Sequence, residues 1–292
     1  MRSDVKRAFE LLKSGDPDHV PEAIELLQNT VFSFSMTVCG HREDAEDTMQ
    51  EVLVKAIPYL WKFDNPKALT TWLYTVARNR CWMSRRKSKF APNEHLSLNE
   101  LMPGAAELDH LREIAASGAS PEQLAIVHQD AAGLLRAILK VPPSYRIVLV
   151  LHDVEELSTE EIARILNLKE GSVRVRLHRA RLFVRKELAS PSFNPESRGK
   201  SAADSAPLRS SKCKQIFANL SEYLDGNLDG ALCEELERHM SKCAPCEAFL
   251  SSLRNMIDRT HALPAKLPSM QAKARVRARL ARQFRSLPVP KQ

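Results

Sequence analysis

Glycine is the residue that most narrows the fold of this chain: only 9 of 292 positions carry it, where average usage gives about 20. Without glycine, tight turns, close strand-to-helix crossings and phosphate-cradling loops are hard to build. Rossmann sheets and turn-rich β barrels are therefore disfavoured, and helices joined by short connections are favoured. The apolar pattern agrees, with a period of three to four residues. Ile24, Leu27, Val31, Phe34 and Val38 form one stripe. Ala45, Met49, Val52, Leu53, Ala56 and Ile57 form a second, and Leu69, Trp72, Leu73, Val76 and Ala77 a third. Asn65-Pro66 opens the third as an N-cap followed by proline at the first helical position. The expected fold class is all-α.

Periodicity fades from 88 to 120, which holds Pro92, Pro103, Gly104 and Gly118, with one short helical piece expected at 107–115. It returns from Ser120-Pro121-Glu122-Gln123, a capping box, and runs to Leu188, broken at Val141-Pro142-Pro143. A second linker, rich in Ser, Pro and Ala, covers 190–212. A third helical segment follows, and Pro264 and Pro268 set off a basic tail. The expected division is 1–89, linker 90–119, 120–189, linker 190–212, 213–262, and tail 263–292. Residues 1–13 are charged throughout and unlike a signal peptide. The longest apolar run, 147–151, is far too short to cross a membrane. A cytoplasmic protein with no membrane span is expected.

Charge is segregated. The net charge of +7 equals that of residues 271–292 alone, which carry seven bases and no acid, so residues 1–270 are neutral. Within that remainder 43–51 holds five acids and no base, 78–89 six bases and no acid, and 174–185 five arginines and no acid. Such blocks imply separate partner surfaces.

Ser158-Thr159-Glu160-Glu161 opens a helix at Thr159–Leu166 with a capping box. A tight turn at 167–170 leads to a second helix, 171–188. Val173, Leu177, Ala180 and Val184 turn this helix to a core. Ser172, Arg174, Arg176, His178, Arg179 and Arg181 lie off that stripe. Two short helices, the second basic, make a DNA-reading helix-turn-helix. Arginine pairs with guanine edges or neutralises phosphates. In 43–87 an acidic helix is followed by one that interleaves Trp72 and Tyr74 with Arg78, Arg80, Arg85 and Arg86. Aromatics stack on unpaired bases while arginines hold the backbone, which suits melted nucleic acid.

The third motif is metal-ligating. His239, Cys243 and Cys246 are spaced by four and three residues, which places them on one face of a helix and its end. Cys213 adds a fourth ligand from a preceding helix, and one imidazole with three thiolates suits tetrahedral zinc. Cys233 competes for the fourth place but lies six residues before His239, nearly two turns away, so Cys213 is preferred. Cys39 and Cys81 fall at apolar periodic positions and are expected in the core.

With these residues in view, 20–189 resembles a bacterial RNA polymerase sigma factor of the extracytoplasmic-function type. The segment DAEDTMQEVLVKA resembles the family's region that docks on the polymerase β′ coiled coil. TTWLYTVARNRCWMSRRK resembles its −10 region, and LSTEEIARILNLKEGSVRVRLHRAR its −35 helix-turn-helix. Met83 stands where the family often has an acid. The resemblance implies two helical DNA-binding domains without catalytic chemistry. Asp44, Asp47, Gln50 and Glu51 would contact core polymerase. Asn79, Arg80 and their neighbours would capture the −10 element, and Arg174, Arg176, His178 and Arg179 would read the −35 element. LSEYLDGNLDGALCEELERHMSKCAPCEAF resembles the zinc-binding anti-sigma domain family. The pairing implies regulation in cis, the 190–212 linker holding the zinc domain near the sigma domains at high effective concentration.

The expected function is promoter-specific initiation by a non-enzyme. Its partners are core RNA polymerase, promoter DNA and its own zinc domain. The alternative is a helix-turn-helix regulator with a zinc or redox sensor, which leaves the acidic helix and TTWLYTVARNR without purpose. The tail repeats Val276, Leu280, Phe284 and Leu287 among arginines, a short basic amphipathic helix. DNA, a membrane surface, or an acidic face such as 43–51 or 234–237 would each suit it.

Overall fold

The computed structural model describes residues 3–84, 95–103, 107, 131–189 and 211–284. Among these residues there are helices and no strand, as the glycine count and periodicity require. The helices are α1 (Ser3–Lys13), α2 (Val20–Cys39), α3 (Arg42–Ala56), α4 (Pro66–Ser84), α5 (Leu98–Leu101), α6 (Ala131–Lys140) and α7 (Pro143–Leu149). They continue with α8 (Thr159–Leu166), α9 (Glu170–Ala189), α10 (Ser211–Leu224), α11 (Gly230–Met240), α12 (Ala244–His261) and α13 (Met270–Phe284). The chain forms two compact units. One holds Met1–Asn93, Val150–Lys169 and Pro264–Gln292, and the other Glu94–Leu149 and Glu170–Leu263.

In the first unit α2 is the central helix and is buried nearly all round. Val31, Phe32 and Phe34 are fully enclosed. Two of its buried hydroxyls bond back along the helix, Thr30 Oγ1 to Leu26 O and Thr37 Oγ1 to Ser33 O, while Ser35 Oγ and the Gln28 amide are buried without a hydrogen-bond partner. Gly40 ends α2 in the left-handed region (φ +79°) and donates its N–H to Met36 O at 2.9 Å. A residue with a side chain is strained there, which fixes the turn into α3. α3 buries Ala45, Met49, Val52, Leu53 and Ala56, and α4 buries Leu69, Leu73, Tyr74 and Ala77. Asn65 caps α4 as expected, its Oδ1 accepting from Ala68 N at 2.8 Å.

Cys39 and Cys81 are buried, as read, and the structure further joins them in a disulfide with Cα atoms 6.0 Å apart. The sequence pattern places each sulfur inward but not beside the other.

The second unit is built around α9, whose Val173, Leu177, Ala180, Val184 and Leu188 are buried. The break at Val141-Pro142-Pro143 separates α6 from α7, with Pro143 opening α7. Arg146 is buried and donates to Leu139 O and Val141 O at the end of α6. Cationic donors are favoured at a helix C-terminus. α10 and α12 meet through Phe217 and Phe249, edge to face at 4.5 Å. Inside the stretch read as the first linker, α5 makes one turn whose Leu101 is buried. One turn is too short to show a period. The expected capping box at 120–123 and most of the 107–115 helix lie outside the described residues, as does most of the second linker.

Candidate functional site

The candidate metal centre is assembled from three helices of the second unit. Cys213 lies in the first turn of α10, His239 in the last turn of α11, and Cys243 caps α12 with Cys246 one turn further on. Asp229 caps α11 by accepting from Ala231 N at 3.0 Å, which fixes the start of the helix that carries His239. The four ligand atoms lie within 4.8 Å of one another. Cys213 Sγ is 3.6 Å from His239 Nε2, His239 Nε2 is 3.4 Å from Cys246 Sγ, and the two sulfurs are 3.9 Å apart. Tetrahedral zinc at its usual bond lengths sets such atoms about 3.5–3.8 Å apart. Cys233 stands outside the cluster, with its Sγ 3.7 Å from Leu228 O. Burial, with Cys243 and Cys213 close by, pushes the Cys246 thiol well up. A divalent cation is what makes thiolates tolerable in such a place. The residues therefore fit a tetrahedral zinc ion.

The basic helix α9 presents its expected DNA-reading residues unequally. Ser172 and Arg174 are exposed, and Arg176 and Arg179 are half-buried. His178 and Arg181 are buried against α10. His178 Nδ1 lies 2.9 Å from Ser221 Oγ, and its buried Nε2 has no hydrogen-bond partner. Burial, then the nearby Arg181 and Arg179, lowers its pKa to about 4. The Arg181 side chain is wholly enclosed and donates twice to Asp225, Nη1 to Oδ2 at 2.9 Å and Nη2 to Oδ1 at 2.8 Å. One turn on, Arg185 stacks its guanidinium 3.8 Å from the Phe249 ring centre and donates to Ser252 Oγ at 2.8 Å. It is also paired with Glu107. Sequence reasoning missed Ser221, Asp225 and Ser252. Asp225 is visible there only as part of a turn, Leu224-Asp225-Gly226.

The first helix of the helix-turn-helix, α8, lies in the first unit. Its capping box forms as read: Ser158 Oγ accepts from Glu161 N at 3.2 Å, and Glu161 Oε2 accepts from Ser158 N at 3.0 Å. Asn167 ends it in the left-handed region, φ +53°. Arg78 Nη1 of α4 donates to Ile165 O at this C-terminal end, 2.9 Å. Glu155, fully buried, accepts from Tyr74 Oη at 2.6 Å.

In the same unit Asp47 is exposed and Asp44, Gln50 and Glu51 are half-buried along α3. Glu51 pairs with Lys55 at 2.7 Å and with Arg80 of α4 at 2.8 Å. A residue expected at polymerase thus holds one expected at the −10 element. Asn79 is exposed, and its Oδ1 accepts from Arg78 Nη2 at 2.7 Å. Trp72 is half-buried beside Tyr59 and Phe63, with ring centres 6.2 and 6.0 Å away. Arg85 and Arg86 lie outside the described residues. Among the described residues, no helix is long and apolar enough to cross a membrane.

Comparison with known proteins follows the same segments. Residues 23–90 match the Sigma-70 region 2 family, 132–184 match Sigma-70, region 4, and 213–246 match a family described as a putative zinc-finger. The chain is 31% identical over 188 residues to the ECF RNA polymerase sigma factor SigW of Bacillus subtilis (strain 168), which covers 64% of this chain and 98% of that protein. It is 34% identical over 173 residues to the RNA polymerase sigma factor YlaC of the same organism, covering 59% and 92%. With the ECF RNA polymerase sigma-E factor of Escherichia coli (strain K12) it shares 30% identity over 142 residues, covering 47% and 70%. A helix-turn-helix regulator with a sensor domain is not favoured, since region 2 matches at 23–90 beside region 4 at 132–184. The chain belongs to the ECF RNA polymerase sigma factors, which direct promoter-specific transcription initiation and are not an enzyme class, and it carries a zinc-finger-like segment after its sigma regions.

Proposed function

We propose that this cytoplasmic sigma factor is held inactive in cis by its zinc-binding segment, which covers part of the −35 reading face of α9. The observation that carries this reading is the burial of His178 and Arg181 against Ser221 of α10 and Asp225 in the turn that follows it. A guanidinium that gives both of its ends to a carboxylate is not offering them to guanine. The exposed Arg174 and Ser172, with Arg176 and Arg179, form the remaining part of the reading face. Asp44, Asp47, Gln50 and Glu51 contact core polymerase, and Trp72, Asn79, Arg80, Arg85 and Arg86 engage the −10 element. One zinc ion per chain is held by Cys213, His239, Cys243 and Cys246. It ties α10, α11 and α12 into the unit that presents Ser221 and Asp225. The domains are those read from the sequence: 1–89, 120–189 and 213–262, with linkers between and a tail from 263.

Transcription in vitro with core polymerase tests this reading. Three chains are compared: the full chain, its Cys243→Ser/Cys246→Ser variant, and a chain ending near residue 190. The expected result is greater promoter output from the last two. Equal output from all three at equal protein level overturns it.

A further inference from the structure

The basic tail was legible as an amphipathic helix but not its seat. In the first unit α13 lies against α2 and α3. Its Ala272 and Val276 are buried, and so is the cationic Lys273, at 8% exposed. Lys273 Nζ sits 2.8 Å from Glu25 Oε1 and Arg277 Nη2 2.9 Å from Glu25 Oε2. One carboxylate of α2 thus takes a cation from each of two successive turns. Arg275 Nη2 is 3.2 Å from Glu46 Oε2 of α3, while Glu46 Oε1 accepts from Ser269 N at 3.2 Å. The extended lead-in is held as well. Lys266 N donates to Ser33 Oγ at 3.1 Å and Arg42 Nη2 to Leu267 O at 3.2 Å. The Lys273 bond, foremost, holds the Glu25 carboxyl below its usual range.

We infer that α13 is a tethered ligand of the acidic α2–α3 face, occupying in the free chain a surface that core polymerase must reach. The inference rests on the reading of Asp44, Asp47, Gln50 and Glu51 as the docking strip. Glu46 and Gln50 are one turn apart on α3, so a helix seated on Glu46 lies along the edge of that strip. Arg279 extends its charge towards Glu51, which Lys55 and Arg80 already hold below the usual carboxylate range. Any partner that seeks these acids meets a basic helix already there.

The contact is built to be displaced. Among the described residues its buried apolar side chains are Ala272 and Val276, and Arg275 and Arg277 remain 62% and 53% exposed. Exposed pairs of this kind are individually weak and screened by salt. The device is distinct from the covering of α9: it acts at the polymerase-docking strip, and no zinc ligand takes part in it.

The test uses the full chain and its Lys273→Glu/Arg277→Glu variant. A third chain adds Glu25→Lys to that variant, restoring opposite charge with the signs exchanged. Carbodiimide footprinting reads the exposure of the Glu46 carboxylate without polymerase. Equilibrium binding to core polymerase at fixed salt reads the competition. We expect Glu46 labelling to rise several-fold and core affinity about tenfold in the double variant, and both to return towards wild type in the charge-exchanged chain. Unchanged Glu46 labelling overturns the seating of α13. Increased labelling with unchanged core affinity overturns its competition with polymerase. If no chain binds core polymerase at any salt, the docking reading itself fails and takes the inference with it.

Discussion

Replacing Asp225 by Ala should open the −35 reading face. The Arg181 guanidinium is fully enclosed, and Asp225, at 15% side-chain exposure, accepts two of its hydrogen bonds at 2.8 and 2.9 Å. Removing one partner of a buried, hydrogen-bonded ion pair costs about 3–5 kcal/mol, most of it the penalty on the charge left behind. In water that charge is solvated again, so the cost falls on the closed arrangement of α9 against α10. With about 3 kcal/mol the closed-to-open ratio shifts about 100-fold. DNA affinity rises by at most that factor, and less once the open form predominates. The assay is fluorescence anisotropy of a −35 duplex, selected from a random pool by a chain ending near residue 190. Salt is held constant because phosphate contacts make affinity salt-dependent. Asp225→Asn keeps one acceptor oxygen and should give a smaller gain, about tenfold on the same scale. Circular dichroism establishes that each variant keeps its helix. Folded Asp225→Ala protein that binds the duplex no more tightly than wild type would refute the reasoning.

Three further outcomes follow from the same unit. His178 has its pKa lowered from 6.5 to about 4 by burial and by Arg181 and Arg179, with Ser221 of α10 at its Nδ1. A depressed pKa stabilises the closed arrangement fully above about pH 6.5, and this is lost as pH falls towards 4. Lowering the pH from 7.5 to 5.5 should therefore tighten binding of the −35 duplex by about tenfold, and His178→Gln should flatten that response. Metal analysis should find one zinc per chain in wild type and in Cys233→Ser, and none in Cys213→Ser. Chelation should melt helix within 211–261, since zinc supplies on the order of 10 kcal/mol to modules of this size, as read by hydrogen exchange.

What the sequence reveals and what it conceals divide along a physical line. Local chemistry is legible because its partners lie within one turn of each other. Asn65 caps Ala68, Ser158 and Glu161 close a box, and two prolines part α6 from α7. The zinc ligands are legible for the same reason at one end, where His239, Cys243 and Cys246 are near in sequence. At the other end they are legible by elimination, since Cys233 cannot reach. Partner choice over long separations is not legible. Arg174, Arg179 and Arg181 are the same residue on the same helix. Only Asp225, 44 residues on and beyond the second linker, makes Arg181 a buried ion pair while Arg174 stays exposed. Charge segregation leaves DNA, a membrane surface and an acidic protein face open as seats for the basic tail. It does not show that Glu25, on a helix otherwise read as core, takes Lys273 and Arg277. Cys39 and Cys81 follow the same rule: period gives burial, and only the packing of α2 on α4 gives adjacency. The proposed silencing would exploit this property: where the residues that bind partners also bind their own chain, the silencing contacts leave no separate mark in the sequence.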